Sequence, residues 1–413
     1  MLDIAATCLV VTALFAYLNH RFVKLPMTIG VMVIALALSL GIVGLDALGL
    51  DGGLREYEES FVRSIDFSTV LMQGMLSMLL FAGALHVDVK ALGVYRWQVA
   101  ALALGGTLVS TIVVGYGMAF ALPVVGVELS LPYCFLFGAL LSPTDPIAVM
   151  GVLKSARAPK NLELVITGES LFNDGVGVVV FVLLSGMLTG AGAPTAGAAL
   201  GLVLREAGGG IVFGLILGYL TYRLLKSVDQ YQVEVLLTLA AVMGGYALAD
   251  HLRVSGPLAM VVTGLMIGNR GRSLAMSDTT RRYVDMFWEL LDGILNAVLF
   301  VLIGMEVLLI AFSMPLLLGG AAAVLVALAA RWLTVGVPVR VLHGFFKLPP
   351  GSSRVLAWGG LRGGISVALA LSLPVGPGRD IVLALTYCVV AFSILVQGLT
   401  VGRVVRRAVG TPG

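Results

Sequence analysis

The stretch Thr167-Gly168-Glu169-Ser170-Leu171-Phe172-Asn173-Asp174 sets two carboxylates, an amide and a hydroxyl just ahead of the apolar run Val178-Val179-Val180-Phe181-Val182-Leu183-Leu184. A charged carboxylate near the centre of a bilayer costs about 2.5–3.5 kcal/mol on insertion scales, so an acid kept there needs a partner or a use. On a helix, residues four apart share a face. Ser170 and Asp174 therefore share one face, and Glu169 and Asn173 the neighbouring one. Oxygen donors of this kind suit a hard cation, by extension from the preference of calcium and magnesium. A carboxylate removed from water needs a proton or a cation to neutralise it. A single group that holds one or the other, but not both, is enough for exchange if it faces the two sides of a membrane in turn. A structural role for Asp174, as a capping or paired acid, is the competing reading.

A second stretch, Leu141-Ser142-Pro143-Thr144-Asp145-Pro146, offers more oxygen. Two prolines three apart cannot sit in an uninterrupted helix, because each removes a backbone donor and clashes one turn back. The unwound backbone around Thr144 and Asp145 then exposes carbonyls that can serve as ligands. Two arginines, Arg331 and Arg362, fall in apolar runs and need anions. Glu169, one helix face away from Asp174, is the expected partner of Arg331. Such a desolvated pair costs several kcal/mol to break. Arg362 lies in the cluster Gly359-Gly360-Leu361-Arg362-Gly363-Gly364, where it is expected to neutralise helix ends or Asp145. Glu306 is read as an interfacial or structural acid, and His86 with Asp88 as part of a solvated loop. Cys8, Cys134 and Cys388 are far apart in apolar runs, and the four histidines form no HExxH set. No bound metal or organic cofactor is expected.

The elements that position these groups follow from composition. Only 12% of the 413 residues are charged and 59% are hydrophobic, against about 25% charged in soluble domains. The mean hydropathy is +1.03. Such a chain cannot cover its surface in water, so an all-α polytopic membrane protein is expected, with lipid as its surroundings and no nucleic-acid partner. At about 20 apolar residues per crossing, thirteen spans are expected near 2–19, 27–45, 67–87, 98–122, 131–153, 165–188, 208–225, 233–250, 256–268, 293–312, 315–342, 355–374 and 381–401. The connection 46–66 is acidic, with Glu56, Glu58 and Glu59. Residues 269–292, with Phe287-Trp288-Glu289, read as an interfacial amphipathic helix. With the N-terminus outside, inner loops, the span ends beside them and the tail hold 19 of the 26 Lys and Arg, and outer loops hold five. That asymmetry predicts a cytoplasmic C-terminus, with no soluble domain after it. The first apolar run has no basic residue ahead of it and reads as a membrane helix, not a signal peptide.

Spans five and twelve are both interrupted and both carry charge at the interruption. If the first six spans repeat as the last six, inverted, with the seventh between, these two are equivalents. Paired interrupted helices are the sequence mark of a transporter site at the repeat interface. The expected division of the single domain 1–413 is 1–190, a connector at 191–230, and 231–413, with core helices within 67–188 and 315–401.

The run Gly168–Asp174 resembles the Asn-Asp signature of sodium/proton antiporters of the cation/proton antiporter superfamily, in the NhaP-like and eukaryotic exchanger branch. Ser142-Pro143-Thr144-Asp145-Pro146, Ser255-Gly256-Pro257-Leu258-Ala259, Phe287-Trp288-Glu289 with Asn296 and Phe300, Arg331, Gly359–Ser366 and Gln397-Gly398-Leu399-Thr400 agree in order. The resemblance implies an NhaA/NhaP-like fold with discontinuous helices five and twelve, a homodimer in the cell (inner) membrane, and elevator-like movement of a core domain. It implies exchange of Na+, or of Li+ or K+, for H+, in the service of salt tolerance or pH homeostasis. Asp174 would be the transport carboxylate, with Ser170, Thr144, Asp145 and Asn173 at the ion. Asn173 stands where electrogenic relatives have a second Asp, which suggests electroneutral exchange. Glu169–Arg331 would be the family's structural ion pair. One departure is Ala82, near which several NhaP-like relatives carry an acid.

Rival classes are a K+/H+ antiporter, a passive cation channel and an intramembrane hydrolase. The last would use Asp145 with Asp174, or Ser170 as nucleophile. Against it, Gly168-Glu169-Ser170-Leu171-Phe172 lacks the second glycine of a GxSxG elbow, and arginines cannot serve as bases at neutral pH. The chain is therefore expected not to be an enzyme.

Overall fold

A computed structural model describes residues 2–47, 74–146, 149–151, 153, 158–186, 188, 196–306 and 313–409. The chain is helical nearly throughout. The main elements are α1 (Leu2–Leu18), α2 (Met27–Ala47), α3 (Leu76–Leu85), α4 (Arg96–Val124), α5 (Leu131–Leu141), α6 (Lys160–Ser185), α7 (Gly201–Leu225), α8 (Tyr231–His251), α9 (Gly256–Met266), α10 (Asp278–Glu306), α11 (Met314–Val341), α12 (Ser352–Trp358), α13 (Gly364–Leu371) and α14 (Pro377–Ala408). Among the described residues, nine of these are long and apolar enough to cross a membrane, and α3 and α5 are shorter apolar helices. Among the described residues each expected span overlaps helix, the fifth running past the end of α5 and the twelfth covering α12 and α13; 67–73 of the third and 307–312 of the tenth lie outside the described residues. The acidic residues Glu56, Glu58 and Glu59 lie outside the described residues.

Starts follow local chemistry. Ser255 and Ser313 accept hydrogen bonds from Leu258 N and Leu316 N, both at 3.4 Å, and each is followed by a proline in the first turn. Asp88 caps a short helix by accepting from Lys90 N at 2.8 Å, and the His86 ring bonds Ala82 O at 2.9 Å. Both are exposed, as a solvated loop requires.

Two packing groups surround the site. α4, α5, α6, α11, α13 and α14 meet around Met118, Phe137, Phe181, Ala323, Leu369 and Leu385. α3, α8, α9 and the first half of α10 meet around Phe81, Val242, Met260 and Trp288. Without a strong hydrophobic drive in lipid, helices associate where small residues let backbones approach. A Cβ at Gly264 of α9 would stand 2.8 Å from Phe81 O of α3, and one at Gly214 of α7 would stand 2.7 Å from Ala259 O of α9. α1 and α7 turn Leu9, Val10, Leu14, Ile211, Leu215 and Ile216 outward, as a lipid-facing surface does.

One expectation is corrected. Residues 278–306 form a single helix, so the aromatic run at 287–291 belongs to α10 and not to a separate interfacial helix. Polar residues on its first turns gave that stretch its amphipathic look. Trp288 is nonetheless fully buried, and its indole donates to Thr238 Oγ1 of α8 at 3.1 Å.

Candidate cation site at two interrupted helices

α5 ends at Leu141, residues 142–146 are not helical, and the backbone is helical again at 149–151. α12 ends at Trp358, and α13 begins at Gly364. The two gaps cross. Asp145 N donates to Leu361 O at 2.8 Å, forming an isolated antiparallel bridge. Pro143 and Pro146 account for the first gap, since neither supplies an N–H. The glycines account for the second. A Cβ at Gly360 would run into the Arg331 guanidinium, and one at Gly363 would stand 2.8 Å from Asp145 Oδ2.

An interrupted helix leaves carbonyls without partners in a place where water is scarce. Two arginines take them up. Arg362 Nη1 donates to Ser142 O at 2.8 Å and to Pro143 O at 3.0 Å, at the end of α5. Its own amide donates to Ser393 Oγ of α14 at 2.8 Å. Arg331 Nη2 and Nε donate to Leu356 O, near the end of α12, at 3.1 and 3.3 Å. A cation at a helix C-terminus also opposes the negative end of the dipole. Of the two roles expected for Arg362, the guanidinium thus takes the helix-end one. Arg331 additionally grips Glu169 with both ends of its fork, through Nη1–Oε1 and through Nη2–Oε2 at 3.1 Å.

The uninterrupted α6 lies across these gaps. Thr167, Ser170, Leu171 and Asp174, at helical spacing along one face, line a cavity of about 150 Å³. Thr144 and Asp145 line it from the first gap, Gly363 from the second, Ser366 from the start of α13, and Asp292 and Asn296 from α10. Thr144 Oγ1 and Ser170 Oγ lie 3.1 Å apart. Among the described residues, no Lys, Arg or His lines the cavity.

Of the residues expected at the ion, Asp174, Asp145, Thr144 and Ser170 therefore share the cavity. Asn173 does not line it. Its Nδ2 donates to Thr144 Oγ1 at 2.8 Å, and its Oδ1 accepts from Thr144 N at 3.4 Å. It clamps the α5 gap to α6 from behind. Ala82 is buried outside the cavity lining, whereas Gly83 lines it. Glu306 is buried at the end of α10 and takes no part in the cavity. Asp292 and Thr167 escape the sequence reading. Asp292 stands four residues before Asn296 on the same helix, and that spacing was the available signal. Among the described residues, no group of three or more His, Cys, Asp and Glu is close enough to hold a metal ion together. The cavity suits a weakly held, partly hydrated ion.

The packing at Gly363 yields a first prediction. In Gly363→Ala the new methyl must displace Asp145, at a cost of about 1–3 kcal/mol for overpacking. Cation-driven proton movement in vesicles should fall at least about tenfold while membrane insertion is kept. Wild-type transport by this variant would mean that Asp145 has room to move without consequence.

Comparisons with known proteins give the chain's family and its fold relatives. Residues 10–407 match the family described as "Sodium/hydrogen exchanger, transmembrane". The Na(+)/H(+) antiporter NhaP of Pseudomonas aeruginosa is 54% identical over 417 residues, covering 98% of this chain and 97% of that protein. The Na(+)/H(+) antiporter NhaH of Halobacillus dabanensis is 36% identical, over 93% of this chain and 96% of its own length. The structure of the sodium proton antiporter MjNhaP1 from Methanocaldococcus jannaschii at pH 8 superposes with a TM-score of 0.74, over 98% of this chain and 97% of that one, at 20% identity. That last likeness speaks to the fold. An all-helical membrane chain with two crossed interruptions under an acid-bearing helix thus belongs to the sodium/hydrogen exchanger family.

Proposed function

We propose that this chain is a secondary transporter that exchanges Na+ for H+ by alternating access, with the two ions competing for Asp174. The observation that carries this reading is the shared cavity. Asp174, Asp145, Thr144 and Ser170 converge where two interrupted helices cross, and no basic side chain among the described residues lines the space. The likeness to proteins named Na(+)/H(+) antiporters supports sodium as the cation. Thr144, Ser170 and unwound carbonyls supply neutral oxygens around one exchanging carboxylate. Exchange is electroneutral, one cation for one proton, because Asn173 is uncharged and engaged with Thr144.

The division into packing groups supports movement of one body against another. The mobile body comprises α4–α6 and α11–α14. α3, placed within the core stretch on sequence grounds, packs its backbone on α9 and belongs with the other body. The halves 1–190 and 231–413 are inverted repeats about the connector 191–230, and the protein is a homodimer in the cell membrane. Its N-terminus lies outside and its C-terminus in the cytoplasm, in keeping with the placement of Lys and Arg.

Proteoliposomes test this. A cation whose ligand must be deprotonated binds more weakly as pH falls. The Na+ concentration for half-maximal exchange should therefore rise by up to about tenfold per unit of acidification on the cation side, while the rate at saturating Na+ changes little. Clamping the membrane potential should leave the rate unchanged. Half-saturation that stays flat over two pH units contradicts direct competition. A voltage-driven current without a proton gradient would favour a channel.

A further inference from the structure

Asp292 takes no part in the chemistry derived so far, yet it lines the same cavity as Asp145 and Asp174. It comes from the opposite body. α10 packs on α2, and Leu299, Phe300 and Ile303 of its second half cluster with Met32 and Ala35 of α2 and with Val367 and Val390 of α13 and α14. The wall that α3 and α10 give the cavity is otherwise apolar, through Leu76, Leu79, Leu80 and Leu299, apart from Asn296 one turn on. Asn296 Nδ2 donates to the main-chain oxygen of Asp292 at 2.9 Å. Among the described residues no basic side chain pairs with Asp292.

An acid on an apolar wall within a membrane needs a counter-charge. Among the described residues no neighbouring base supplies one, which leaves a proton or a cation held in the cavity. The carboxylates do not close on a common point, so Asp292 acts through its field and not as a direct ligand. Low-dielectric walls concentrate that field in the cavity.

We propose that Asp292 is a cation-attracting residue of the transport cavity, which raises the occupancy of partly hydrated Na+ beside Asp174 from the facing wall. This rests on the exchange reading above. It separates two tasks. Asp174 exchanges ions, and Asp292 sets how much Na+ is needed to load it.

The test uses the full chain in proteoliposomes, with Na+ as the probe. In Asp292→Asn the half-saturating Na+ concentration should rise about tenfold, because a unit charge is removed from the low-dielectric wall of the cavity. Turnover at saturating Na+ should stay within about twofold, since mass action makes good a lost attraction. Asp292→Glu should stay near wild type. An unchanged half-saturation overturns the proposal. So does a loss of turnover at saturating Na+, whether or not Glu restores it, because that is the mark of a structural or exchanging group. Asp292→Ser serves the same reading if the asparagine variant fails to fold. Asp174→Asn is run alongside. If it still exchanges, the exchange reading itself fails. If it is inactive while Asp292→Asn matches wild type, only the present inference fails.

Discussion

Asp174→Asn is expected to abolish Na+-driven proton movement while the protein still inserts in the membrane and elutes as wild type. Asparagine keeps the shape and the hydrogen-bonding reach of the side chain, but it carries neither the charge nor the exchangeable proton. Two unit charges 4 Å apart attract by about 4 kcal/mol at an effective dielectric of 20, which is about a thousandfold in occupancy. Loss of the proton is absolute, since an amide does not titrate in the working range. The neighbouring oxygens cannot replace it. Thr144 and Ser170 are hydroxyls, 3.1 Å from one another. Asp145 is on the interrupted α5 segment, tied to Leu361 through its amide. Measuring Na+-dependent quenching of a pH dye in vesicles, with orientation-matched protein, gives the answer. Exchange above the protein-free background would remove Asp174 from the role and shift attention to Asp145.

The α6 site was legible because a helix repeats every 3.6 residues and its polar residues are few. Spacing alone put Ser170 with Asp174, and Glu169 with Asn173, on separate faces, and the structure keeps those faces apart. The interruptions were legible because proline and glycine act on their own backbone. What sequence did not disclose is what depends on a second element. Asn173 sits one residue from the exchanging acid, but it reaches Thr144 rather than the cavity, and only the position of the α5 gap decides that. Arg362 could have gone to Asp145 or to helix ends. Two free carbonyls on one side decide for the ends. Asp292 was passed over because α10 was expected to begin after it. In the structure it starts at Asp278, and the buried Trp288 donates to Thr238 of α8.

Arg331→Gln is expected to lower stability more than any change within the cavity itself, while leaving the cation ligands in place. The guanidinium is buried, grips both oxygens of Glu169, and satisfies Leu356 O at the end of α12. Removing one partner of a buried pair costs about 3–5 kcal/mol, mostly because the other charge is left without compensation. Taking about 2.1 cal/mol/K of unfolding entropy per residue, this corresponds to roughly 5 °C in the thermal midpoint in detergent. Lysine should rescue little, since a point charge cannot serve the carboxylate fork and the Leu356 carbonyl together. The double variant Glu169→Gln/Arg331→Gln should be more stable than the sum of the two single losses, because neither charge is then left alone. If the two losses simply add, the pair is not coupled and Arg331 acts through the α12 carbonyl alone. If Arg331→Gln keeps its midpoint but loses transport, the arginine works on the ion's path and not as a strut.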